Sequence, residues 1–111
     1  MLYNWKKILL KPTEAISRAI EVLDKEALRI VLVVNDSNKL LGTITDGDIR
    51  RALIRHVELT DSVKHVMRNN PTTVLSHHKR SEILKLMKKN GLLQVPVIDS
   101  NGRVVGLETL K

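Results

Sequence analysis

The chain has 111 residues, 42% hydrophobic but only 2% aromatic, with no cysteine and 19 basic against 12 acidic side chains for a formal net charge of +7. That length fits one compact domain with a core, and the lack of cysteine excludes disulfides, thiolate metal sites and cysteine nucleophiles. The basic balance invites polyanions (nucleic acid, an anionic membrane, phosphorylated metabolites) without choosing among them.

Residues 1–11 mix polar and apolar side chains and contain neither a long apolar run nor a small-residue cleavage site. No signal peptide and no membrane span is expected, so the default is a soluble, cytoplasmic protein. Both aromatic residues, Tyr3 and Trp5, fall here, which leaves the core to Val, Ile and Leu and suits buried strands with helices laid across them. Thr13 reads as a helix N-cap with Glu14 favouring the positive end of the dipole. Ile16, Ala19, Ile20 and Leu23 follow at helical spacing. Residues 29–34 are a β-branched run, 35–39 a turn, and 40–45 the return strand of a hairpin. A second helix opens between Asp46 and Asp48 and runs to Arg55 or His56. Between His56 and Met67, Thr60 and Asp61 read as caps of a short helical turn, and Asn69-Asn70-Pro71 breaks the chain. The spacing then predicts a helix over 80–90 stopped by Gly91, a strand over 94–98, an Asp99-Ser100-Asn101-Gly102 turn, and a last strand over 103–107. Much of the basic excess (Lys79, Arg80, Lys85, Lys88, Lys89) alternates with Ile83, Leu84, Leu86 and Met87, the pattern of a solvated helix face.

The chain reads twice. Lys39-Leu40-Leu41-Gly42 and Arg103-Val104-Val105-Gly106 match at an offset of 64 residues, the distance from Gly42 to Gly106. The same offset, without a gap, lays Val33-Val34 on Val97-Ile98 and Ala19, Ile20, Val22 and Leu23 on Ile83, Leu84, Leu86 and Met87. The halves are 1–56 and 57–111. Each is near the size at which a core is marginal, so the two should bury their strands together as one unit. The second half ends at Lys111, where its closing helix should begin.

The segment Gly42-Thr43-Ile44-Thr45-Asp46-Gly47-Asp48-Ile49-Arg50-Arg51 carries the chemistry. A strand ends there and a helix opens, so unsatisfied amides face outward where a phosphate can sit. Thr45 offers a hydroxyl donor to a phosphate oxygen, and Asp48 an acceptor for paired ribose hydroxyls. Gly47 permits close approach to the backbone, and Arg50 or Arg51 can reach a phosphate chain. A purely structural role competes with this: Asp46 or Asp48 can simply cap the helix, and Gly42 can simply end a strand. Two carboxylates without a third ligand or a nucleophile make neither a metal site nor an acid/base pair. The histidines His56, His65, His77 and His78 read as surface residues.

Helix, strand, turn, strand and helix, repeated, with the Thr45-Asp46-Gly47-Asp48-Ile49-Arg50-Arg51 and Val95-Pro96-Val97-Ile98-Asp99 strings, resemble the CBS domain pair, or Bateman module, over nearly the whole chain. The resemblance implies an α/β (α+β) fold: tandem repeats, each a small, mostly antiparallel sheet with flanking helices, packed with pseudo-two-fold symmetry. It further implies a regulatory sensor of an adenosine-containing ligand (AMP, ADP, ATP or S-adenosylmethionine), with no cofactor required and no catalysis in this segment. Thr45 would hold a phosphate and Asp48 the ribose, with Asp46, Gly47, Arg50 and Arg51 beside them. The base would lie against Leu92, Leu93 and Gln94, and Thr72 and Thr73 would close the pocket. A second site would use Arg29, Ile30 and Thr109, but its acidic position falls one residue past Lys111. Such pairs associate as homodimers. The segment Asn4-Trp5-Lys6-Lys7-Ile8-Leu9 is similar to the regulatory region preceding a sugar-phosphate nucleotidyltransferase domain. A related Thr-Asp-Gly-Asp string occurs on the C-terminal side of sugar-phosphate isomerases. Met1 directly before the module favours the nucleotidyltransferase, whose catalytic domain would share the chain. Two other readings stay open: an oligomerisation scaffold with a vestigial ligand site, and a basic nucleic-acid-binding module, although neither interleaved aromatics nor a helix-turn-helix pattern supports nucleic acid as a partner.

Overall fold

The repeat in the sequence is a repeat in space. The computed structural model describes residues 4–110; Tyr3 and the chain ends Met1 and Lys111 invoked above lie outside the described residues. The first half contains β1 (Leu9–Leu10), α1 (Ile16–Lys25), β2 (Val31–Val34), β3 (Leu40–Ile44) and α2 (Asp46–Ile54). The second contains β4 (Val74–Leu75), α3 (Arg80–Asn90), β5 (Gln94–Ile98) and β6 (Val104–Thr109), and 3-10 turns occupy Trp5–Ile8 and Val63–His65. Two three-stranded sheets form, ordered β1-β2-β3 and β4-β5-β6. Each joins an antiparallel hairpin to one short parallel strand.

The offset carries one sheet's register onto the other. Leu10↔Val33 and Val33↔Gly42 become Val74↔Val97 and Val97↔Gly106, and the ladder irregularity after Val33 recurs after Val97. The hairpin turns repeat in chemistry as well as position. Asn35 Oδ1 accepts from the amides of Ser37 and Lys39, and Asp99 Oδ1 from those of Asn101 and Arg103. Asn38 (φ 64°) and Gly102 (φ 82°) take the left-handed position in each turn. These turns meet each other. The Leu40 amide donates to the Gly102 carbonyl (3.0 Å) and the Val104 amide to the Asn38 carbonyl (2.9 Å), framing a Lys39↔Arg103 bridge. The offset maps these contacts onto themselves, so the pseudo-two-fold axis passes here.

β2 is buried at all four positions, which explains its unbroken apolar run. α1 lays Ile16, Ala19 and Val22 across it, and Val104 and Leu107 of β6 join the same core. A smaller cluster of Val74, Ile83, Met87 and Val95 serves the second sheet. α3 turns Ile83 and Met87 inward and exposes Lys85, Lys88 and Lys89, and Gly91 ends it at φ 65°, as the spacing predicts.

Several local expectations are corrected. Thr13 does not cap α1; the helix starts after Ala15, and its first amides, those of Ile16 and Ser17, donate to the carbonyls of Asp61 and Leu59 (2.9 and 3.0 Å). The connector performs the capping, which no local pattern announces. The turn at Val63–His65 is capped by Ser62, whose Oγ accepts from the Lys64 amide and donates to the Pro12 carbonyl. Asp61 instead accepts from the Glu58 amide, and Thr60 forms no cap. Val63 and Val66 of this connector belong to the first half's core, so it is a packed element and not a flexible tether. Arg29 lies before β2 with φ 62°, β3 stops at Ile44, leaving Thr45 as the cap of α2, and β6 runs on to Thr109.

Candidate functional site

β3 alternates its side chains, so Thr43 and Thr45 leave on the same side of the strand. Directly after Thr45 the chain turns into α2, and Asp48 stands at the third helical position. Its Oδ2 accepts from the Thr45 amide (2.9 Å) and the Thr45 hydroxyl (3.1 Å), and its Oδ1 from Arg51 Nη2 (2.8 Å). The amide bond is the N3 half of a capping box, so the structural role foreseen for Asp48 is real. The same residues border a cleft of about 350 Å³, within the range of small-molecule sites.

One wall of the cleft is Thr43, Thr45, Asp46, Gly47 and Asp48; the opposite wall is Gly91, Leu92, Leu93, Gln94 and Pro96. Arg29, Ile30, Arg68 and Thr72 complete it. Pro96 has no amide to give a ladder, and β4 pairs with β5 only at Val97 and Ile98; Gln94 and Pro96, before that pairing begins, line the cleft. Arg68 is fixed through its backbone: its amide donates to the Thr43 carbonyl (2.9 Å) and its carbonyl accepts from the Thr43 amide (3.2 Å). The connector thereby becomes a strap across β3. Arg29 holds a left-handed conformation that costs a non-glycine residue about 1–2 kcal/mol, and such outliers cluster at functional sites. Both guanidinium groups are exposed, and neither forms an ion pair among the described residues.

Thr45, Asp46, Gly47, Asp48, Thr72, Leu92, Leu93 and Gln94 all line this one cleft. Arg50 is exposed and outside the cleft, Thr73 is half-buried outside it, and Arg51 reaches it only through Asp48 and Gly47. Arg29 and Ile30, assigned above to a second site, line this cleft. Thr109 pairs with Gln94 in the β5–β6 ladder, and its Oγ1 is buried without a hydrogen-bond partner among the described residues. At the twin positions Leu107 replaces Thr43, Leu110 replaces Asp46 and Asn4 replaces Arg68, an apolar counterpart to a charged site. Thr43 and Pro96 were discoverable from alternation beside Thr45 and Gln94; Arg68 carried no local signal. Among the described residues no group of three or more His, Asp or Glu side chains is placed to hold a metal.

The Gly47 surface can be tested directly. A Cβ built there stands 3.3 Å from Arg51 Nη1 and Nη2, at the far end of a flexible side chain. Gly47→Ala should change stability by less than about 1 kcal/mol while weakening any ligand that approaches the first turn of α2. Thermal melting beside calorimetric titration separates the two effects; equal affinity in both proteins would remove Gly47 from the contact surface.

A family model described as CBS domain matches residues 5–55 and 63–107. Arabinose 5-phosphate isomerase GutQ of Escherichia coli strain CFT073 is 30% identical over 99 residues, covering 89% of this chain and 31% of the relative. Arabinose 5-phosphate isomerase KdsD of Pseudomonas aeruginosa is 31% identical over 93 residues, covering 83% of this chain and 28% of the relative. The chain thus spans about a third of the length of these curated relatives. Among solved structures, the CBS domain pair of protein MJ0100, in complex with 5′-methylthioadenosine and S-adenosyl-L-methionine, superposes with a TM-score of 0.78 at 28% identity, covering 92% of this chain and 83% of that one.

Proposed function

The chain belongs to the CBS domain family as a tandem pair, and from that premise we propose that it is a regulatory module that binds an adenine nucleotide in the cleft between Thr45–Asp48 and Leu92–Gln94. One observation carries the reading: a carboxylate only 10% exposed, that of Asp48, is held at the opening of α2 on a cleft that Leu92, Leu93 and Gln94 also line. A ribose supplies two hydroxyl donors that such an acceptor recognises. The base lies against Leu92, Leu93 and Gln94, and the phosphate lies toward the α2 N-terminus and Thr45, whose hydroxyl rotates from Asp48 to donate to it. The ligands named for the MJ0100 pair both carry adenosine, which supports the base and ribose assignments. Arg29 and Arg68 favour a phosphorylated ligand.

The catalytic partner in the full-length protein is read from the relatives. GutQ and KdsD are sugar-phosphate isomerases, and they favour that class of companion domain over a nucleotidyltransferase. Self-association of two copies through the helices accompanies the reading; Leu53 and Ile54 at the end of α2, 49% and 69% exposed, are apolar side chains that a second copy would cover.

With an affinity of roughly micromolar to millimolar, AMP at about a hundred times its dissociation constant should stabilise the fold by about 2.7 kcal/mol and raise its melting temperature by about 10 °C or more. Calorimetry and thermal shift with AMP, ADP, ATP and S-adenosylmethionine make the measurement. No heat and no shift with any of them at millimolar concentration would leave the oligomerisation scaffold as the better account.

A further inference from the structure

The Asp48 carboxylate already has three donors on it: the Thr45 amide, the Thr45 hydroxyl and Arg51 Nη2. A carboxylate offers about four lone-pair sites, and a ribose diol brings two more donors, so at least one present donor must leave. The Thr45 amide is fixed by the start of α2. The Thr45 hydroxyl turns away only when a phosphate is there to receive it, so for the ribose itself the donor free to swing is the Arg51 side chain, 51% exposed. It has somewhere to go, because its guanidinium lies over Gly47, with Nη1 and Nη2 both 3.3 Å from where a Cβ would stand. That is the surface at which the first amides of α2 receive a phosphate. Arg50, one residue away, is exposed and has no such contact.

We propose that Arg51 is a specificity-determining residue that exchanges carboxylates for phosphates: it holds Asp48 Oδ1 until a ribose claims that oxygen, and is then re-paired by the ligand's own phosphate. This rests on the nucleotide reading of the same cleft. A nucleoside without a phosphate breaks the Arg51–Asp48 pair and returns nothing to the arginine, whereas a nucleotide replaces one anion with another. The pair is therefore a filter against unphosphorylated nucleosides, operating beside Arg29 and Arg68.

The test is titration of adenosine and AMP into wild type and Arg51→Met, which keeps the aliphatic stem. In wild type AMP should bind more tightly than adenosine. In R51M adenosine should bind about threefold more tightly, from release of a partly exposed ion pair, while AMP binds more weakly, so the preference falls by about tenfold. A merely structural role for Arg51 would shift both ligands in the same direction. Weaker adenosine binding, or equal shifts for the two ligands, overturns the exchange and leaves the nucleotide site standing. Failure of wild type to bind either ligand overturns both readings together.

Discussion

Asp48→Ala is expected to weaken nucleotide binding roughly tenfold to a hundredfold while lowering stability by only about 1 kcal/mol. The two effects come from the two oxygens. Oδ2 holds the Thr45 amide at 2.9 Å, and losing an N-terminal capping bond of this kind costs about 1 kcal/mol. For a chain of this size that is a melting-temperature decrease of about 4–8 °C. Oδ1, once Arg51 has left it, is the acceptor a ribose needs. A hydrogen bond to a charged group contributes about 1.5–3 kcal/mol, or roughly tenfold to a hundredfold in affinity. Against a starting affinity in the micromolar to millimolar range, that loss is a drop a titration at millimolar ligand resolves. Asp46→Ala is the internal control: Asp46 lines the same cleft but is exposed and makes no side-chain hydrogen bond or ion pair among the described residues. It should change affinity far less. Calorimetry and thermal denaturation on the two variants decide the matter. If D48A binds AMP as wild type does, Asp48 is a helix cap and nothing more.

The division between what could and could not be read from the chain follows the range of the interactions involved. The helix stop at Gly91, the strand Gln94–Ile98 and the paired hairpin turns are set by residues within a few positions of one another, and the structure has them where periodicity and turn chemistry put them. The repeat was legible because it replicates those local signals at one offset, and that offset carries the register of one hairpin onto the other. β1 and β4 were invisible because two residues display no period; they are strands only because β2 and β5 offer an edge. The Thr13 cap failed for the converse reason: the amides it would have served are satisfied by Asp61 and Leu59, far along the chain. At the site, Thr45 and Asp48 announced themselves as a hydroxyl and a carboxylate at a strand-to-helix junction. Arg68 did not, since its place depends on a backbone bridge to Thr43. Arg29 looked like the first residue of a strand, and its left-handed backbone gives no sign in composition.

That bridge gives the second large prediction. Gly42 and Gly106 are equivalent in the repeat, yet alanine should be severe at one and mild at the other. A Cβ at Gly42 stands 2.7 Å from the Arg68 carbonyl oxygen and 2.8 and 2.9 Å from Met67 Sδ and Cγ. The Met67 side chain can yield. The Arg68 carbonyl cannot, because it accepts from the Thr43 amide while the Arg68 amide donates back to the Thr43 carbonyl. Relieving the clash lifts the strap from β3, loosening both hydrogen bonds and the packing of Met67 on the first core. Overpacking of this kind costs about 1–3 kcal/mol, and the strained bridge brings the expectation for Gly42→Ala to the upper end of that range, about 3 kcal/mol, with a fall in melting temperature of more than 10 °C. At Gly106 the same Cβ meets Val97 Cβ at 3.6 Å, ordinary contact, and among the described residues no segment crosses it; Gly106→Ala should stay within about 1 kcal/mol of wild type. Urea unfolding of both variants measures the difference. Nucleotide titration adds a second axis, because moving Arg68 withdraws a cation from the cleft: Gly42→Ala should weaken AMP more than adenosine even at temperatures where the protein remains folded. Equal destabilisation by the two substitutions would mean that the strap is not what distinguishes the first repeat from the second, and that the cleft does not owe its positive charge to the way the connector crosses β3.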